Sequence, residues 1–359
     1  MRKTLESYGT ATIERPARSG PGPGQPPASP DADYVELARQ VRQAGLMDRR
    51  PGHYALRIGV NMALLAGGWV AFFLIGDSWY QLGIAAFLAV LFTQTGFIGH
   101  DAGHRQIGAT RRVNELVGLV HANLAIGMSY GYWVDKHNRH HSHPNEVGRD
   151  PDVGPGAFAW TAEQARSTRG PARALVRHQA GLFFPLLVLE AANLHAFSLR
   201  AMGTRAVRHK WLEGLLLLGH AAGYVAALVI VLSPVKAVVF VVVQQGLFGL
   251  YLGCSFAPNH KGMPMPAPGE ETDFLRRQVL TARNVRGGRF VSLALGGLNY
   301  QIEHHLFPTM PMSSLWRCQP IIRAFCQQHG VAYAESALLG SYVQALRHFR
   351  ACGAPLRPG

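Results

Sequence analysis

The chain has 359 residues, 48% hydrophobic and only 16% charged, with a net charge of +14. Soluble domains carry roughly 25% charged residues, so this composition argues against an ordinary water-soluble fold and for a membrane protein. The basic residues form no tract or single stripe, which disfavours a nucleic-acid binder. Cys254, Cys318, Cys326 and Cys352 lack CxxC spacing, so neither a zinc ribbon nor a disulfide framework is expected.

Residues 1–35 are rich in Pro, Gly and Arg and read as a disordered arm without a signal peptide. Residues 34–50 read as a short amphipathic helix before the membrane. Four apolar stretches follow, each near the roughly 20 residues a helix needs to cross a bilayer: Ile58–Gly76, Ser78–Gly99, Gly214–Val235 and Ala237–Pro258. Only Asp77 separates the first two, and the last two turn around Ser233-Pro234, so each pair is expected to form a tight helical hairpin. Val113–Met128 is too short to span. Ala180–Leu199 carries Pro185, Glu190, Asn193 and His195, groups that are costly in hydrocarbon; both segments are expected in the interface or on the polar face. Every Lys and Arg except Lys236 lies in 1–57, 101–211 or 255–359. A two-hairpin arrangement puts those three segments, and with them both termini, on one side, the cytoplasm. The membrane domain proper is expected over 36–340, with a C-terminal tail at 341–359.

Three histidine clusters sit in these polar segments. His100 and His104, in HDAGH, are spaced i and i+4 on one helix face. His137, His140 and His141, in HNRHH, place two imidazoles on one face and a third alongside. His304 and His305 end the third cluster, QIEHH, where Gln301 takes the first position. Seven histidines in tight groups, returned to one membrane face by the spans, suit metal ligation better than core packing. Neutral imidazole favours iron and other first-row metals, and so many imidazoles imply two metals. Asn259-His260, directly after the fourth span, returns to the same face and adds two candidates. Gln301 could bind through its amide oxygen or hydrogen-bond a bound water. Asp101, Asp135, Asp150, Asp152 and Glu303 are candidates to orient ring N–H groups. His121, His143, His178, His195, His209, His220, His329 and His348 are read as surface or capping residues.

HDAGH, HNRHH and QIEHH resemble the three histidine boxes of the membrane fatty acid desaturase superfamily, and the Gln-headed third box resembles its acyl-lipid and front-end branch. Also similar are Arg149-Asp150-Pro151-Asp152, Asn259-His260-Lys261-Gly262-Met263-Pro264, Thr281 to Gly288, and Gly297-Leu298-Asn299-Tyr300 leading into the third box. The resemblance covers about residues 55 to 340. It implies an all-α integral membrane fold, with four transmembrane helices in two hairpins and a cytoplasmic helical cap holding a di-metal site. It implies two iron ions ligated by His100, His104, His137, His140, His141, His304 and His305, and also by His260. Gln301 and Asn259 remain further candidates.

The implied reaction is O₂-dependent desaturation of a fatty acyl chain, carried on CoA or on a lipid, giving a cis double bond. Many front-end members carry a fused haem domain with an HPGG motif, which is not found here. Electrons are therefore expected from a separate ferredoxin or flavin/iron-sulfur reductase. The acyl chain should enter an apolar tunnel, with its headgroup near Arg276, Arg277, Arg283, Arg286 or Arg289. A fatty acyl hydroxylase on the same scaffold, and a non-enzymatic membrane haem or metal carrier, are the competing readings.

Overall fold

The computed structural model describes residues 31–267 and 269–357. Most of the arm expected at 1–35 lies outside these residues, and its last part belongs to helix α1 (Ala32–Gln43). This helix buries Leu37, Ala38 and Val41 against the cap.

Among the described residues, four helices are long and apolar enough to cross a membrane: α2 (Pro51–Ile75), α3 (Gln81–Gly103), α10 (Lys210–Val231) and α11 (Pro234–His260). They are the four expected stretches, lengthened at their polar ends. Proline at the first turn starts both α2 and α11, where its missing N–H leaves no helical bond unmade. α3 and α11 pack together at the centre, while α2 and α10 lie outside. The outer helices turn apolar side chains outward, such as Val229 at 72% and Ile230 at 76% exposed. Such a surface is stable against lipid and costly against water. The turns after α2 and α10 meet: Asp77 Oδ1 accepts bonds from Ser233 N (2.9 Å) and Ser233 Oγ (3.1 Å), and Lys236 Nζ lies 3.0 Å from Asp77 Oδ2.

The polar segments build the rest. After α3 come α4 (Arg111–Gly118) and a π-helix (Leu119–Ala125), which together cover the expected non-spanning segment. α5 (Tyr130–Ser142) carries the second histidine cluster. Short helices α6 (Ala162–Ser167) and α7 (Pro171–Arg177) lead to α8 (Gln179–Leu187) and α9 (Glu190–Ala201), which meet at 73°. The expected interfacial segment 180–199 is thus a sharply bent pair packed on α11.

After α11, helices α12 (Phe274–Leu280), α13 (Arg289–Ala294), α14 (Gln301–Leu306), α15 (Met312–Gln328) and α16 (Leu338–Cys352) complete the chain. The boundary expected at residue 340 falls inside α16, whose Phe349 is buried against Phe158, Trp160 and Phe183. The fold is predominantly helical, and the all-α expectation needs one amendment. Strand β1 (Asn284–Arg286) pairs in parallel with β2 (Glu335–Ala337), Asn284 facing Glu335. This short ladder ties the segment before the third cluster to the C-terminal helices.

Candidate metal centre

The three histidine clusters arrive on three separate elements. The C-terminal end of α3 supplies His100 and His104, α5 supplies His137, His140 and His141, and α14 supplies His304 and His305. The last turn of α11 adds His260. They converge into two groups. Nitrogens of His100, His104, His137 and His304 lie within 4.8 Å of one another, as do those of His140, His260 and His305. His141 stands between the groups: its Nε2 is 3.0 Å from His137 Nε2, and its ring stacks on His305 at 4.1 Å.

The outer ring nitrogens are held from behind. His100 Nδ1 faces Asp101 Oδ1 at 3.2 Å, and Arg57 pairs with the other oxygen of that carboxylate. His140 Nδ1 donates to Asp150 Oδ2 at 2.8 Å, His260 Nδ1 to Thr281 O at 3.0 Å, and His305 Nδ1 to Gln278 Oε1 at 2.9 Å. Each contact places the hydrogen on Nδ1 and leaves the Nε2 lone pair facing inward. The inward atoms lack partners: Nε2 of His100, His104 and His304 is buried without a hydrogen bond. In the second group His260 Nε2 and His305 Nε2 stand 3.0 Å apart. Two nitrogens each about 2.1 Å from one ion and at right angles would be about 3 Å apart. Orphaned, convergent imidazole lone pairs are costly in a packed interior, and a cation satisfies them. Burial, reinforced by neighbouring imidazoles, also holds His104, His137, His141, His304 and His305 well below the ordinary histidine value. They therefore stay neutral, the form that ligates metal.

Other candidates fall in different places. Gln301 lies beside the second group, its Nε2 2.9 Å from His260 Nε2, and Asn259 Nδ2 donates to Gln301 Oε1 at 3.1 Å. Asp152 pairs with Lys136 and stands 3.6 Å from His140 Nδ1. Asp135 pairs with Arg139 at the surface. Glu303 turns away from the rings: its oxygens accept from Asn284 Nδ2 at 2.7 Å and Tyr333 OH at 2.6 Å.

Two of the arginines proposed for a headgroup are committed elsewhere. Arg283 is buried and donates to Pro258 O at 2.6 Å, so it braces the end of α11. Arg276 is held by Asp33 and Asp273 at 3.0 and 2.9 Å. Gln278 and Trp133 were not singled out in the sequence, yet they contact the histidines, and Arg57 reaches His100 only through Asp101. Trp133 stacks on His137 at 4.4 Å. Gly103, inside HDAGH, makes room for it, since a Cβ there would stand 2.5 Å from the indole ring.

A cavity of about 720 Å³ adjoins both groups. His100, His137, His140 and His260 form part of its wall; Ile126, Met128, Leu187, Leu252, Phe256 and Leu298 form an apolar part. The arrangement can hold two cations at the wall of an apolar chamber.

Sequence comparison agrees with this geometry. The family model for fatty acid desaturase matches residues 77–337. The chain is 30% identical to the acyl-lipid (9-3)-desaturase of Physcomitrium patens, over 88% of this chain and 61% of that protein. It therefore spans less than two thirds of that relative's length. It is 26% identical to fatty acid desaturase 3 of Bos taurus, over 98% of this chain and 80% of the relative. It is also 26% identical to the delta(6)-fatty-acid desaturase fat-3 of Caenorhabditis elegans, over 88% and 74%. With the matched segment running from the turn after α2 to the end of β2 and containing every histidine of both groups, the chain belongs to the fatty acid desaturase family.

Proposed function

We propose that this protein is an O₂-dependent fatty acyl desaturase that introduces a cis double bond into an acyl chain. The observation that carries this reading is the pair of convergent, buried imidazole groups forming the wall of an apolar cavity. His100, His104, His137 and His304 would hold one iron and His140, His260 and His305 the other, with His141 between them. Gln301 and Asn259 lie beside the second iron. Bound iron would supply the activation of O₂ that removal of hydrogen from unactivated methylenes requires.

The protein's own part is geometric. Asp101, Asp150, Thr281 and Gln278 fix ring orientation. The apolar wall aligns the chain and keeps water from the reacting carbons. No side-chain nucleophile or acid–base pair is needed. Electrons would come from a separate ferredoxin or flavin/iron-sulfur reductase. The four spans would form two hairpins, with the histidines and both termini in the cytoplasm, as the distribution of Lys and Arg supports.

Gas chromatography–mass spectrometry of fatty acids from an expressing host, supplied with a suitable reductase, tests the reading. A new alkene is expected, lost at least a hundredfold in His140→Ala or His304→Ala while the protein stays in the membrane. A hydroxy acid without an alkene, or undiminished product in either variant, would contradict it.

A further inference from the structure

One wall of the cavity is built by the bent pair α8 and α9, and its depth is set by α11. A Cβ on Gly249 would stand 2.7 Å from Ala191 N and 2.8 Å from Leu187 O, so the bend rests directly on α11 at that glycine. About 16 Å of helix rise separates Gly249 from His260. Between Lys236 and His260, α11 carries no charged residue. The bend therefore lies within the apolar length of a spanning helix. Irregular backbone at such a depth is tolerated where it lines a cavity, and Glu190 and Asn193 do line it, bonded to each other at 3.3 Å.

The same pair also forms an outer surface. Leu189 and Phe197 belong to the cavity wall and are nevertheless 59% and 38% exposed. A side chain that is both wall and exterior marks an opening. Val188 and Leu199, also exposed, extend its apolar rim. At the polar end the rim changes character: Pro155, Gly156, Ala157 and Arg139 are exposed lining residues, and Arg200 lies over the Phe197 ring at 5.6 Å. The slot thus runs from an apolar edge at hydrocarbon depth to a cationic edge at the headgroup level.

We propose that this slot admits the acyl chain sideways from the bilayer, so that the substrate is a phospholipid ester and not a soluble acyl thioester. The chain would slip past Leu189 and Phe197 while its anionic phosphate stays near Arg200, since Arg139 is already paired with Asp135. A long-chain acyl-CoA also partitions into bilayers, but its head carries several phosphates, and the single guanidinium over Phe197 matches the one phosphodiester of a phospholipid better. The proposal rests on the desaturase reading for the identity of the ligand; the route itself does not depend on the metals.

Two measurements on the full-length protein separate the two claims. In the first, metal-free protein sits in vesicles containing phosphatidylglycerol with a diazirine on one acyl chain. Photocrosslinks are expected on Gln179–Ala201 and near Ile126, competed by unlabelled phosphatidylglycerol and poorly by oleoyl-CoA. They should fall at least fivefold in Phe197→Glu and in Leu189→Glu, with each variant's melting curve checked for folding. Crosslinks confined to the outer faces of α2 and α10 would overturn lateral entry, and more effective displacement by oleoyl-CoA would overturn the phospholipid as its substrate.

In the second, iron-loaded protein with a reductase receives labelled oleoyl chains as phosphatidylglycerol or as the CoA thioester. Turnover at least tenfold faster on the phospholipid is expected. Faster turnover on the thioester would overturn the phospholipid as substrate and leave the desaturase reading standing. Crosslinking as expected with product from neither carrier would support the entry route and overturn the desaturase reading.

Discussion

The ring of His140 is set by a carboxylate that accepts three hydrogen bonds. Asp150 takes the His140 Nδ1 hydrogen at 2.8 Å, the Asn145 N–H at 2.8 Å and the Asp152 N–H at 2.8 Å. The backbone donors fix the carboxylate, and the carboxylate fixes the ring. Asp150→Asn keeps the shape and removes the charge. Losing such an outer partner weakens metal affinity by about 10–100-fold. Iron retention against a chelator should drop by that amount without loss of folded protein; unchanged retention would show that Asp150 has no such role. The box histidines were legible because i, i+3 and i+4 spacing is a local signal. Asp150 was a candidate, but its partner was not readable; Thr281 stood in a motif that resembles the family without showing that its carbonyl holds His260, and Gln278 carried no signal. They reach the histidines through tertiary packing. Arg283 was misread for a related reason: an arginine in a polar segment looks solvated until a buried set of carbonyls surrounds it.

At the level of elements, α5 is clamped at its first turn by a buried acid on another helix. Glu213 of α10 accepts from Ser129 Oγ at 2.7 Å, from Asn123 Nδ2 at 3.0 Å and from the Gly131 N–H at 3.2 Å. Negative charge at a helix N-terminus also complements the helix dipole. The clamp fixes both the π-helix and the helix bearing His137, His140 and His141. Glu213→Ala would orphan several buried donors, each at roughly 1–3 kcal/mol. Thermal unfolding in detergent should show a loss of that order or more. By contrast Asp77→Ala breaks an exposed ion pair with Lys236 and two exposed hydrogen bonds from Ser233, whose donors water can satisfy, a smaller loss. Equal losses in the two variants would contradict this ranking. Helix existence was legible from apolar length, whereas the 73° bend between α8 and α9 was not. Pro185 and the polar residues marked that segment as unusual, but only contact with Gly249 fixes where it sits.

For the whole molecule, four apolar helices place the histidines at one end and the paired turns at Asp77 and Ser233 at the other. The proposed orientation has the histidine end in the cytoplasm, which the charge pattern supports. Tyr80 is exposed by the first turn and Ser142 is exposed at the end of α5. Cysteines introduced as Tyr80→Cys and Ser142→Cys should therefore react with an impermeant thiol reagent from opposite sides of the membrane. Labelling of both from one side would contradict the arrangement. The four apolar helices were the most legible feature of the sequence, because hydropathy is summed over many residues and no single contact decides it. The short parallel ladder between β1 and β2 escaped notice, since three-residue strands carry no periodic signal.

In the proposed reading, imidazoles from α3, α5, α11 and α14 hold two iron ions side by side. Metal analysis of purified protein reconstituted anaerobically with ferrous iron tests it most directly. Two irons per chain, no haem absorption band, and clear loss of metal in His140→Ala are expected. A chain that takes up no iron, or one that holds a single haem, would contradict it.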